Sequence, residues 1–147
     1  MANVTEAQGQ CLCGSVRILA KTVNAQVGAC HCTTCRQWGG GPFLATDCGT
    51  DVTFEGQEYI TAFSSSDWAD RGFCQRCGTH LFYRLKAQQQ YFVPVGLFTD
   101  SERFVLDRQV FIDEKPEFYC FANETHNMTG AEEFAQFAAE TQKTASS

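Results

Sequence analysis

The chain has 147 residues, enough for one domain with a real core, and 44% of them are apolar, including thirteen Phe, which excludes a disordered chain. A formal net charge of -6 argues against a nucleic-acid binder, which wants a basic stripe, and no apolar run approaches the roughly 20 residues of a membrane-crossing helix. The first six residues carry neither a basic n-region nor an apolar stretch, so a cytoplasmic protein is expected.

In chain order, residues 1–8 read as a flexible lead, 9–142 as a single zinc domain, and 143–147 as a disordered tail. Cys11-Leu12-Cys13-Gly14 opens the domain, and residues 15–20 behind it read as a strand. Cys30-His31-Cys32-Thr33-Thr34-Cys35 follows, with Cys35 expected in the first turn of a short helix. Residues 42–46, 52–54 and 59–63 are short strand candidates punctuated by glycines. Cys74-Gln75-Arg76-Cys77-Gly78 then repeats the opening grammar, with a strand predicted over 79–85. In both places the glycine beside the second cysteine suits a tight turn that needs positive φ. Residues 91–97 form a further apolar run, which Pro94 marks as an edge strand or a bulged one. The last expected strand covers 109–112. Thr129-Gly130-Ala131-Glu132 is a capping box, opening an amphipathic helix of about three turns. Its stripe of Phe134, Phe137, Ala138 and Thr141 is expected to pack on the domain.

The nine cysteines are an odd number, and a reducing compartment disfavours a disulfide framework. Seven fall in tight groups, as metal ligands do when one turn aims two sulfurs at one ion. Cys11, Cys13, Cys74 and Cys77 suffice to close a tetrahedral zinc shell, leaving no position for substrate, so this set is predicted to be structural. A redox dithiol at Cys74 and Cys77 is the competing reading, but the surrounding pattern is not βαβ. Cys30, Cys32 and Cys35 supply three thiolates and leave one coordination position open, the mark of a catalytic or substrate-binding metal. His31, Cys48 or Cys120 would close that shell if any served as fourth ligand, and the trio would otherwise be a set of reactive thiols. An iron–sulfur cluster normally wants four cysteines. Arg36, Gly39, Gly40 and Arg71 are the candidate substrate-binding residues, the arginines for carboxylates and the glycines for close backbone approach. Surface ion pairing is the plainer role for each arginine, and core packing for Trp38 and Phe43; His80 and His126 read as ordinary residues.

Cys11-Leu12-Cys13-Gly14-Ser15-Val16, Cys30-His31-Cys32-Thr33-Thr34-Cys35-Arg36 and Arg71-Gly72-Phe73-Cys74-Gln75-Arg76-Cys77-Gly78-Thr79 together resemble the glutathione-dependent formaldehyde-activating enzyme family. Order and spacing agree from about residue 9 to 115, including Ser65-Ser66 and Lys115-Pro116. The resemblance implies a mainly β fold, a zinc-stapled β-tent of small antiparallel sheets with a short helix after the trio and a C-terminal helix. It also implies structural zinc on Cys11, Cys13, Cys74 and Cys77, and a second, catalytic-type zinc on Cys30, Cys32 and Cys35. The namesake activity is that of a carbon–sulfur lyase, joining formaldehyde to the glutathione thiol as S-hydroxymethylglutathione. A small-molecule thiol such as glutathione is thus the expected partner, for a monomer or homodimer. A non-catalytic zinc module, or a thiol- or metal-responsive protein of the same fold, is the alternative. The last 30 or so residues match nothing specific in the family pattern.

Overall fold

A computed structural model describes residues 4–145. Its strands are β1 (Val4–Gln10), β2 (Arg17–Asn24), β3 (Gln26–Cys30), β4 (Phe43–Asp47), β5 (Val52–Glu55) and β6 (Ile60–Ser64). They continue with β7 (Ala69–Cys74), β8 (His80–Leu85), β9 (Gln90–Pro94), β10 (Val105–Val110) and β11 (His126–Met128). Helix α1 (Thr33–Gly39) follows the cysteine trio, and α2 (Gly130–Ala145) ends the described chain. The fold is mainly β, as expected. The chain divides into two compact units: residues up to Val27 with Ala45–Val105, and Gly28–Leu44 with the residues from Leu106 on.

The first unit holds a three-stranded sheet, β1-β2-β5, and the strand order β4-β9-β8-β7-β6. These pairings are antiparallel, with Ile18 opposite Phe54 and Gly72 opposite Phe82. Ile18 and Ala20 of β2 point inward while Arg17 and Lys21 face solvent, the alternation of a half-buried strand. Val16, Ile18, Val23, Leu81, Phe82 and Val93 meet in one core with Cys11 and Cys74. Each large apolar side chain buried there contributes about 1.5–3 kcal/mol. The rings of Phe54, Phe82 and Tyr91 lie 5.2–5.7 Å apart, centroid to centroid, and extend that core.

In the second unit the order is β11-β10-β3, with β11 parallel to β10. Phe111, just after β10, has φ of 56°, a conformation that costs a bulky side chain energy. Its ring is pinned from α2: Gly130 leaves no room for a side chain against it, and Phe134 meets it edge-on at 5.6 Å. The turn that follows, Ile112–Glu114, is delivered to the α1 N-terminus, where Glu114 Oε1 accepts from both Thr33 N–H and Thr33 O–H.

Several expectations need correction. From Val4 onward the expected lead forms β1, paired with β2; its sequence is polar because, among its described side chains, Ala7 and Gly9 are the buried positions. Residues 1–3 lie outside the described residues. Pro94 marks neither an edge nor a bulge; β9 lies between β8 and β4, and Pro94 is its last residue, where a missing N–H disturbs nothing further along the strand. The capping box forms, with Glu132 N–H donating to Thr129 Oγ1 at 3.2 Å and Thr129 N–H to Glu132 Oε1 at 2.8 Å. The helix it opens runs 16 residues, longer than three turns and including 143–145 of the expected tail; residues 146–147 and the side chain of Thr141 are outside the described residues. Of its described stripe, Phe134 meets Phe111 while 53% exposed, Phe137 is half-buried, and Ala138 is exposed.

Gly14 and Gly78 have φ of 80° and 79°, as the turn around each cysteine pair requires. Gly78→Ala should lower the stability of the metal-loaded protein by about 1–2 kcal/mol, read from urea unfolding. Gly39→Ala, where an added methyl meets nothing within 4 Å, should leave it nearly unchanged.

Candidate metal centres

The sulfurs of Cys11, Cys13, Cys74 and Cys77 all lie within 4.8 Å of one another. Cys13 Sγ is 3.6 Å from Cys11 Sγ and 3.9 Å from Cys74 Sγ. Four sulfurs about 2.3 Å from one tetrahedral zinc sit about 3.8 Å apart along each edge, so the set fits that ion. A disulfide would demand about 2.05 Å. The two halves are built alike. Gly14 N–H donates to Cys11 O and Cys11 N–H to Val16 O; Gly78 N–H donates to Cys74 O and Cys74 N–H to Thr79 O.

Thr79 joins the halves. Leu12 N–H donates to its hydroxyl at 3.1 Å, and the hydroxyl is 3.1 Å from Cys77 Sγ, so its hydrogen is free to serve the sulfur. That hydroxyl, with the Thr79 backbone, pulls the Cys77 thiol down to about 5. Ser15 lowers Cys13 in the same way, while burial raises Cys74. Val16 N–H donates to Cys11 Sγ at 3.3 Å. Hydrogen bonds of this kind favour the thiolates a metal needs.

The second unit gathers Cys30, Cys32 and Cys35, again within 4.8 Å of one another. Cys30 ends β3, Cys32 caps α1, and Cys35 N–H donates to Cys32 Sγ at 3.3 Å. Hydrogen bonds that the Cys30 thiol donates toward Cys32 and Cys35, then burial, push it far above its ordinary value. Three soft sulfurs in one cluster suit zinc and leave a tetrahedral shell incomplete.

Each candidate for a fourth ligand is placed elsewhere. His31 is fully buried and turned from the sulfurs: Nδ1 is 2.8 Å from the Tyr119 hydroxyl and Nε2 is 2.8 Å from Gln109 Oε1. Both ring nitrogens are therefore engaged, and burial lowers the imidazole pKa, keeping it neutral. Cys48 sits in the core of the first unit, its thiol donating to Thr46 O and pushed up to about 12 by burial. Cys120 is exposed and does not join the cluster.

Of the predicted substrate residues, Arg36, Gly39 and Gly40 ride on or beside α1 with the trio. Arg36 Nε donates to His31 O at 3.0 Å and Nη2 reaches Thr33 Oγ1 at 3.4 Å, so its guanidinium already braces the trio loop. Added side chains at Gly39, Gly40 or Gly41 would meet nothing within 4 Å, so the backbone there is open to approach. Arg71 belongs to β7 of the first unit; it is buried, donates to Ser65 Oγ at 3.2 Å and lies 4.9 Å over the Tyr83 ring. Trp38 meets Phe43 edge-on at 5.8 Å, both half-buried and outside the buried core. His80 is half-buried on β8 and His126 exposed on β11. Gln109, Glu114 and Tyr119 escaped the sequence reading, since their partners lie about 80 positions away and no local pattern announces them.

A family model described as glutathione-dependent formaldehyde-activating enzyme matches residues 6–114. An uncharacterized lyase of Schizosaccharomyces pombe is 37% identical over 125 residues, covering 84% of this chain and 91% of its own. Among solved structures, a Rhodobacter sphaeroides protein shares the fold with a TM-score of 0.55 and 26% identity, over 63% of this chain and 88% of its own.

The two sulfur sets should release metal in order on acidification. A raised thiol pKa means more protons compete for the sulfur at a given pH, and a lowered one fewer. In the trio Cys30 is raised, whereas in the four-sulfur set Cys77 and Cys13 are lowered and Cys74 raised, and that set offers one more sulfur to its ion. A zinc-sensitive dye in an acid titration should therefore report the trio's ion first and the four-sulfur ion at lower pH; simultaneous release, or the reverse order, would contradict it.

Proposed function

Because the chain belongs to the glutathione-dependent formaldehyde-activating enzyme family, we propose that it is a zinc-dependent carbon–sulfur lyase acting on a glutathione adduct, similar to S-(hydroxymethyl)glutathione synthase. The observation that carries the reading is the trio itself: three sulfurs gathered together while His31, the nearest further donor in sequence, is committed on both ring nitrogens. The lyase name of the Schizosaccharomyces pombe relative supports the same reaction class. The other cysteine set takes a structural zinc, all four of its positions being filled by protein sulfur.

Cys30, Cys32 and Cys35 would hold the zinc, which would supply Lewis acidity favouring the thiolate form of an incoming thiol. In the forward direction the glutathione sulfur bonds to the formaldehyde carbon, the S–H bond breaks and the carbonyl oxygen takes up a proton. In the reverse direction the C–S bond breaks and both reactants return. Thiols add to formaldehyde unaided, so the protein's task is chiefly to hold the partners together. Arg36 is the cation proposed for a peptide carboxylate, and Gly39 and Gly40 the backbone along which the peptide lies. The open space beside both glycines favours that role. Among the described residues no helix is long and apolar enough to cross a membrane. A cytoplasmic setting, with its glutathione pool, fits the substrate.

Exchange NMR between formaldehyde with glutathione and their adduct tests the proposal. Wild-type protein should accelerate exchange, and Cys32→Ser should lose at least about tenfold of that acceleration, the scale expected when a group that stabilises a reacting thiolate is removed. Equal rates for the two proteins would instead favour a non-catalytic zinc module.

A further inference from the structure

The buried histidine inside the trio is tied at every polar atom. Its N–H donates to Val110 O at 3.1 Å, its carbonyl accepts from Arg36 Nε at 3.0 Å, and its ring meets Tyr119 and Gln109.

The hydrogen bonds of the ring have a direction that can be read from their far end. Thr125 donates its hydroxyl hydrogen to Asn127 Oδ1 at 2.6 Å, so its oxygen is an acceptor toward Gln109 Nε2 at 2.9 Å. The Gln109 carbonyl oxygen must then face His31, and His31 Nε2 must carry the hydrogen. Nδ1 is left as an acceptor, filled by the Tyr119 hydroxyl. Every donor points the same way, from Tyr119 through His31, Gln109 and Thr125 to Asn127.

We propose that His31 is a positioning residue, held by this one-way chain on the face opposite the sulfurs so that Cys30 and Cys32 present theirs together. The geometry follows from the extended backbone at Cys30–Cys32, where neighbouring side chains alternate sides: pinning the middle one inward commits both flanking ones outward. Tyr119 is held in turn by Lys115, whose ammonium lies 5.1 Å from the ring centroid. The chain also settles what Tyr119 offers: its hydrogen is spent on His31, so only lone pairs of the hydroxyl remain for a neighbouring donor.

The inference rests on the trio being a metal site, and cobalt(II) titration separates the two claims. Wild-type full-length protein should bind two cobalt ions, with distinct visible d–d bands for the four-sulfur and three-sulfur sets. Gln109→Leu should weaken the second site at least about tenfold, a loss typical of outer-shell partners, and shift its bands, with the four-sulfur affinity and bands unchanged. Tyr119→Phe, which removes one hydroxyl from a half-buried ring, should weaken it severalfold. His31→Gln, whose amide can still donate to Gln109, should retain more affinity than His31→Phe. Were His31→Phe to unfold, the four-sulfur bands would vanish as well, and Tyr119→Phe and Gln109→Leu would decide. Two cobalt ions bound identically by wild type and both variants would overturn the positioning role alone. A wild-type second site with nitrogen ligation from His31 would overturn it too, and uptake of a single cobalt would overturn both claims.

Discussion

Four sulfurs held within one tetrahedron's span constrain everything else in the first unit. Cys13 and Cys74 are 61 residues apart in sequence and 3.9 Å apart at sulfur, so the clamp closes a long loop. Closing such a loop removes conformational freedom from the unfolded chain, as a disulfide of that span does. Cys11 and Cys74 are also core residues, packed with Val16, Leu81 and Phe82. The clamp and the apolar core therefore form together. Strands β2 and β8 each emerge directly from one cysteine pair, and their register begins at the sulfurs.

The same side chain serves opposite ends in the two sulfur sets because its surroundings differ. In the first, hydroxyls and backbone N–H groups converge on the sulfurs and draw Cys13 and Cys77 toward thiolate. In the second, the thiols mainly face one another, and Cys30 keeps its proton strongly. The proposed division between structural and reactive sulfur would thus involve what surrounds each sulfur as well as the number of ligands.

The sulfur sets were legible in the sequence because their pieces are local: two cysteine pairs, each followed by a glycine of positive φ, and a trio within six residues. Strands with clean alternation were legible too, as at residues 15–20 and 79–85. Strand β7 was not, since it carries Asp70 and Arg71 in its middle. Those charges are tolerable only because Arg84 on β8 pairs with Asp70 at 2.8 Å and Arg71 meets Ser65 and Tyr83. Burying a charge demands partners, and the partners come from other strands. Strand β1 hid behind polar composition, and β3 and β11 were too short to show a period. His31 stood in the sequence as a candidate fourth ligand, and the partners that occupy its ring instead, Gln109 and Tyr119, are 78 and 88 positions distant.

The supports of the trio fall on two sides of a boundary that the fold itself does not mark. Gln109 and Glu114 lie within the stretch shared with the family, 6–114, while Tyr119, Thr125 and the Phe134 that pins the Phe111 turn lie beyond it. A substitution in that C-terminal stretch could loosen the support of His31 without touching a single cysteine.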